Sequence, residues 1–506
     1  MYAKINAMCI RGIDGIPITV EADVSNGLPE YSMVGALSSE VREAKERVRT
    51  ALRNTDFVFP PKRITVNLSP ADIHKEGTAF DLAIAIGIAA AHGAVKPPAD
   101  NAVLLGELGL DGSVCPVSGV LPMVLAAKKN GFRTAVVPFE NASEAAMVDG
   151  IVIIPVKSLR DAMDYLDNPV RESFSAPKAS GGVVYDVDFS EINGQPTMRR
   201  AAEIAACGMH NILFIGTPGS GKTMIARRIP TILPELTWEE ALEVTRVYSV
   251  RGLTSSDEPI ITARPFRAPH HTVSAAALIG GGKMPRPGEI SLADRGVLFL
   301  DELPEFPKNV LESLRQPLED REVLVARAGG ACRFPANIML CAAMNPCRCG
   351  YYPDRTKCSC TESDVKRYLG RISGPMLDRI DVCVQAPPVK YRDLGSAASG
   401  ESSITLRRRV EKAWEIQRER FKNSKNCLFN SQMKNAGVKK YCALQPADGE
   451  LMEKAFDSLN LSARAYHKVL KVARTIADMD GSENIKREHL LEALSFREKD
   501  IGSLNS

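Results

Sequence analysis

A chain of 506 residues is too long for one hydrophobic core, so two or more domains are expected. With 44% hydrophobic and 25% charged residues it reads as an ordinary soluble protein. Lys and Arg number 64 against 61 Asp and Glu, an excess of +3 that excludes bulk charge as the mark of a nucleic-acid binder, so any anionic partner must meet local patches.

The first stretch, MYAKINAMCIRGIDGIPITVEADV, has β-type residues broken by Gly-Ile-Asp-Gly and carries Lys4, Arg11 and Asp14, unlike the apolar core of a signal peptide. The longest apolar run, Leu82 to Ala91, falls far short of the roughly 18 to 20 residues of a membrane span. A cytoplasmic protein with reduced thiols and no membrane partner is expected. In that compartment clustered cysteines point to a metal rather than to disulfides. Small-residue stretches at 167–182 and 393–403 divide the chain. The expected domains are 1–168, a linker at 169–182, 183–390 and a helical, charged C-terminal part at 391–506.

The middle block opens with NILFIGTPGSGKT: an apolar run from Asn211 to Ile215, then Gly216, Thr217, Pro218, Gly219, Ser220, Gly221, Lys222 and Thr223. Glycines let backbone N–H groups turn towards phosphates, Lys222 reaches the β- and γ-phosphates, and the Thr223 hydroxyl ligates Mg²⁺. This P-loop, with a strand before it and a helix after it, implies ATP and Mg²⁺ as cofactors. The next stretch, RPFRAPHHTVSAAALIGGGKMPRPGE, carries Arg264, Arg267, His270, His271, Lys283 and Arg286 among Gly and Pro. Neighbouring histidines seldom point the same way and no third ligand is evident, so these residues are read as contacts to a threaded polymer rather than as a metal site.

GVLFLDEL follows, an apolar strand ending in Asp301 and Glu302. Asp301 is placed to hold the Mg²⁺ shell and Glu302 to polarise a water for attack on the γ-phosphate. The segment REVLVARAGGACRFPA reads as a hairpin turning at Gly329-Gly330, a second pore-facing candidate. A third apolar run, NIMLCAAMNP, ends at Asn345, a polar residue able to orient the attacking water. In GPMLDRIDV, Arg379 lies between two aspartates. It forms either a surface ion pair or an arginine finger into a neighbouring subunit's nucleotide.

Cys347, Cys349, Cys358 and Cys360 follow Asn345 directly. Four thiolates suit a closed tetrahedral Zn²⁺ site with a structural role; unligated surface thiols and a redox pair are the alternatives. From Arg407 to Lys440, eleven Lys/Arg face three Glu, with Arg407, Arg408 and Arg409 consecutive. The run is either a solvated helix face or an electrostatic track for phosphates.

Together these motifs, with PGEISLADRGVLFLDELPEF and SARAYHKVLKVARTIAD, resemble the YifB/ComM family of magnesium-chelatase-like AAA+ ATPases over nearly the whole chain. The resemblance implies a ring, expected to be hexameric, with Asn345 as sensor 1, Arg379 acting in trans and Arg464 as the lid's sensor 2. It places residues 264–286 where related proteins carry pore loops. It also implies a DNA motor of the helicase or branch-migration kind, serving recombination or natural transformation. A magnesium chelatase motor subunit and an ATPase remodelling a protein partner are the other readings.

The first block, with NLSPADIHKEGTAFDLAIAIGIAAA and LLGELGLDGSVCPVSGVLPMVLAAKK, resembles the proteolytic domain of Lon, which uses a Ser–Lys dyad. Lon's Lys-Asp-Gly-Pro-Ser-Ala-Gly segment matches Lys75 to Asp81, placing Ala79 at the nucleophile, and the dyad lysine matches Met123. Neither side chain can serve, and Thr78 is the one nearby hydroxyl, so protease activity by this route is not expected. The block, which also resembles RadA recombination proteins, is read as serving assembly or nucleic-acid contact. The fold class expected is α/β and multi-domain: a Lon-like α+β domain, a P-loop AAA+ α/β domain and a helical lid.

Overall fold

The computed structural model describes residues 1–169, 173–175, 183–282, 285–327, 330–387, 400–424, 427–459 and 461–497. Most of the expected linker, Lys283 and the tip of the expected hairpin lie outside the described residues.

The N-terminal unit is built on a seven-stranded mixed sheet in the spatial order Glu30–Val34, Arg63–Ser69, Asp14–Ser25, Tyr2–Arg11, Ala102–Leu104, Thr134–Pro138, Val152–Val156. Its antiparallel centre follows from strict alternation: Ile18, Val20, Ala22 and Val24 are buried on one strand and Ile64, Val66 and Leu68 on its neighbour. The apolar run predicted too short for a membrane is the helix Asp81–His92, buried on nearly every side against that sheet. Gly87 permits the close approach, since a Cβ there would stand 3.3 Å from the Ala22 methyl and 3.4 Å from Ile5. The helix Ser39–Asn54 covers it, started by the Ser38 side chain, which accepts from Val41 N–H, and buried along Val41, Ala44, Val48 and Leu52.

The central unit has five parallel strands in the order Phe266–Arg267, Val297–Leu300, Met339–Met344, Ile212–Gly216, Val382–Ala386. The runs 212–216, 297–300 and 339–344 are buried throughout, which explains why they read as continuous apolar stretches without alternation. Met339–Met344 separates the P-loop strand from the acidic strand, so the carboxyl ends of all three converge on one crevice.

The C-terminal part is helical, with Ser403–Phe421, Asn435–Tyr441, Pro446–Ser458, Ala463–Met479 and Arg487–Ser495. It shares one apolar core with the central unit; Trp414 Nε1 donates to Ala206 O at 3.0 Å and Gln417 Nε2 to Cys207 O at 2.8 Å. Another core joins the N-terminal and central units: Ala241 and Ile260 pack with Met8, Val120 and Met123. Gly119 N–H donates to Ser249 O and Arg246 pairs with Asp14 at 2.6 Å across the same boundary. Among the described residues no helix is long and apolar enough to cross a membrane.

Candidate nucleotide site and cysteine cluster

The strand Ile212–Gly216 delivers the chain to a loop in which Gly219 and Gly221 adopt φ of +76° and +85°, with open space where a Cβ would stand. That backbone turns N–H groups into a cradle, and the helix Lys222–Ile232 starts directly behind it with its positive end towards the cavity. A cavity of about 450 Å³ is lined by 218–224, Asp301, Glu302, Met344 and Asn345. Lys222 donates to Gly216 O at 2.7 Å, Thr217 O at 2.9 Å and Asn345 Oδ1 at 3.3 Å. Burial lowers its ammonium below the ordinary lysine value, with Asp301 and Glu302 opposing. Thr223 Oγ1 donates to Asp301 Oδ2 at 2.9 Å. Glu302 has a left-handed backbone, φ +52°, that swings its half-exposed carboxylate into the cavity rim. The residues expected to hold ATP and Mg²⁺ are therefore assembled in one place, and an open cradle, a lysine and paired carboxylates fit a magnesium-bound triphosphate.

The two arginines expected to act on nucleotide do not line this cavity. Arg379 is tied down within its own chain, donating to Arg315 O, Pro375 O and Glu319 Oε1, the last at 2.7 Å. Arg464 lies in the first turn of Ala463–Met479, two-thirds exposed, and pairs with Asp378 at 3.6 Å. It thus meets the Arg379 segment.

The four thiols converge: their sulfur atoms all lie within 4.8 Å of one another, with Cys347–Cys349 at 3.3 Å, Cys349–Cys358 at 3.5 Å and Cys347–Cys358 at 3.8 Å. Four thiolates around Zn²⁺ at about 2.3 Å stand roughly 3.8 Å apart, so the donor set fits that ion. The Tyr351 N–H brings the Cys349 thiol down to about 6, whereas burial pushes Cys358 up to about 12.

Three similarities bear on this arrangement. The model of magnesium chelatase subunit ChlI matches residues 188–394, a second model for that subunit matches 20–141, and its C-terminal model matches 400–497. Competence protein ComM of Haemophilus influenzae is 42% identical over 504 residues, covering 98% of this chain and 97% of that protein. The YifB protein of Escherichia coli is 41% identical over 497 residues, 97% of this chain and 96% of that protein. The chain belongs to the YifB/ComM family of magnesium-chelatase-like AAA+ proteins. Lon protease 2 of Bacillus subtilis is 35% identical over 156 residues, 29% of this chain and 28% of that protein, and this likeness is N-terminal.

In this YifB/ComM chain, Ala79 and Met123, expected to match Lon's dyad, line one cavity of about 540 Å³ between the N-terminal and central units. The geometry brings the two positions together but gives them a methyl and a thioether, 9% and 1% exposed. The Thr78 hydroxyl is taken by Glu107 Oε2 at 2.5 Å, and the fully buried Lys75 ammonium donates to Pro70 O. Among the described residues no hydrogen bond joins an amine to the Thr78 hydroxyl, as activating it would require.

Several residues read as DNA contacts are placed otherwise. Arg264 is 4% exposed, donating to Pro234 O, Glu235 O, Arg295 O and Glu240, which gives it a structural role rather than a pore-facing one. Arg267 is held by both Glu289 oxygens at 2.7 and 3.0 Å. Arg407 caps Thr231 O, and Arg409 is clamped by Glu203 and Glu401. Arg408 and His270 are exposed, as is Arg286. Contrary to expectation, His270 and His271 do point the same way, with ring centres 4.0 Å apart. His271 faces Glu302 at 3.8 Å, at the nucleotide site, a neighbour that local spacing did not announce. The hairpin strands Glu322–Arg327 and Gly330–Pro335 pair with Arg327 opposite Gly330, and the turn between them lies outside the described residues. Cys332 on that hairpin packs against Gly12 of the N-terminal unit.

Proposed function

We propose that this chain is a cytoplasmic ATPase that assembles into a hexameric ring and uses ATP hydrolysis to move on DNA, as a helicase or branch-migration motor in recombination or natural transformation. The observation that carries the enzymatic part is the convergence of Lys222, Thr223, Asp301, Glu302 and Asn345 on one cavity. The substrate rests on similarity along the full chain to a competence protein. Lys222 and the glycine cradle bind the phosphates, Thr223 and Asp301 hold Mg²⁺, Asn345 orients a water and Glu302 takes its proton. Bound Mg²⁺ neutralises charge on the phosphate oxygens. Arg379, after leaving Glu319, completes a neighbouring subunit's site, and Arg464 serves as the lid's sensor 2. Zn²⁺ on the four cysteines is structural. Of the basic residues, Arg408, His270 and Arg286 keep exposed faces for phosphates, and Lys283 is assigned with them from sequence alone.

Remodelling of a protein partner, or driving a chelatase, is the second reading. The internal engagement of Arg264, Arg267, Arg407 and Arg409 favours it, because it removes basic side chains from the surface. Steady-state ATP hydrolysis measured alone, with single-stranded DNA and with four-way junctions separates the two. Stimulation by DNA that declines with salt supports the motor. Hydrolysis indifferent to every DNA overturns it in favour of a protein partner, and absence of hydrolysis overturns the ATPase itself.

A further inference from the structure

The cysteine cluster lies against the nucleotide site. Met339–Met344 ends at the crevice, Asn345 contacts Lys222, and Cys347 enters the apolar core two residues later, fully buried beside Met344 and Leu340. The chain then turns: Gly350 N–H returns to Cys347 O at 3.0 Å, and Tyr352 N–H approaches the Cys347 sulfur at 3.4 Å. At the apex of that turn Gly350 has φ +90° and lies on the P-loop. A Cβ at this position would stand 2.6 Å from Pro218 Cδ and 2.8 Å from Cγ. Cys358 and Cys360 close the cluster from the far side, and Thr361 immediately caps the helix Glu362–Leu369. Tyr368 of that helix is buried, with its hydroxyl towards the Asn345 backbone. One small loop thus touches the phosphate cradle at Pro218 and brackets Asn345 from both sides.

We propose that a soft divalent cation of the Zn²⁺ class, held by Cys347, Cys349, Cys358 and Cys360, keeps Gly350 seated on Pro218 and thereby holds the P-loop in its phosphate-binding shape. This deepens the nucleotide and zinc assignments above and rests on them. The cation is what ties Cys358 and Cys360 to Cys347 and Cys349 on the other side of the turn, so without it the loop opens and the support behind Pro218 is lost. Gly350 is a positioning residue that touches neither phosphate nor metal.

Two arms test this on the full chain. In the first, zinc content and the dissociation constant for a fluorescent ADP analogue are measured as purified, after chelation and after Zn²⁺ is restored. About one zinc per chain, at least a tenfold loss of affinity on removal and recovery on restoration are expected, with little change in far-ultraviolet circular dichroism. In the second, Gly350→Ala is expected to keep its zinc yet bind ADP at least tenfold more weakly. Either arm decides if the other disrupts the fold. Unchanged affinity after stripping, unchanged affinity in zinc-bearing Gly350→Ala, or tight ADP binding by a chain purified without metal overturns the proposal. Failure of zinc-loaded protein to bind nucleotide at all instead overturns the ATPase reading.

Discussion

Thr223 Oγ1 and Asp301 Oδ2 stand 2.9 Å apart, linking the first turn of the P-loop helix to the end of the acidic strand. Both are hard oxygen ligands suited to Mg²⁺, and their contact pre-positions them for one ion. Asp301→Asn keeps the shape and removes the charge. It is expected to weaken Mg²⁺-dependent ATP binding roughly tenfold or more while leaving metal-free binding nearly unchanged. Titration of nucleotide affinity against Mg²⁺ checks this, and equal loss with and without Mg²⁺ would assign Asp301 a purely structural role.

Glu302 sits one residue further on, its left-handed backbone carrying the carboxylate to the cavity. Glu302→Gln retains size and hydrogen bonding but cannot accept a proton. Single-turnover hydrolysis is expected to fall about 10²- to 10⁴-fold with ATP affinity held within a few-fold. Normal turnover would reject Glu302 as the base.

Arg379 is pinned to Glu319 at 2.7 Å and lies outside its own chain's cavity lining. If it serves the neighbouring site, Arg379→Ala alone and Glu302→Gln alone are each nearly inactive, with losses of about 10³-fold or more for the arginine. An equimolar mixture then regains hydrolysis, because some interfaces combine an intact Glu302 with an intact Arg379 from the adjacent chain. A mixture as inactive as its parts would place the arginine's action within one chain or exclude it from catalysis.

Contiguous motifs were the readable part of the sequence. The P-loop, the strand ending in Asp301 and Glu302, and the four cysteines each lie within a short stretch, and burial of their strands on both faces wrote them as plain apolar runs. Arg264 was misread because three of its partners are backbone carbonyls of Pro234, Glu235 and Arg295, which fold brings together but side-chain patterns do not reveal. The contact of His271 with Glu302 and that of Gly350 with Pro218 were equally silent, since each joins residues from separate strand ends. The expected blocks came from composition alone, whereas the two cores that join the N-terminal, central and C-terminal units depend on which helix faces meet.

Asp294 lies just before the acidic strand, fully buried, with Oδ1 accepting from Asn337 N–H at 2.7 Å and Arg295 Nε 3.9 Å from Oδ2. Burial pushes its carboxyl up to about 7; Arg295 and the Asn337 hydrogen bond pull against that, and Glu240 and Glu243 add to the rise. A carboxyl whose folded pKa lies above its unfolded value contributes stability that is complete below the unfolded value of about 4 and is lost progressively as pH rises from there to the folded value of about 7. Asp294→Asn removes this titration while retaining the acceptor for Asn337. The variant is therefore expected to melt a few degrees higher than wild type at pH 8.5, with the advantage shrinking as pH falls below about 7 and vanishing only near the unfolded aspartate value of about 4. Other titrating groups are common to both proteins and cancel in the difference, so its slope between about pH 4 and pH 7, flattening above, isolates Asp294. Two parallel melting curves would show that the carboxylate is ionised without cost, its charge fully met by Arg295.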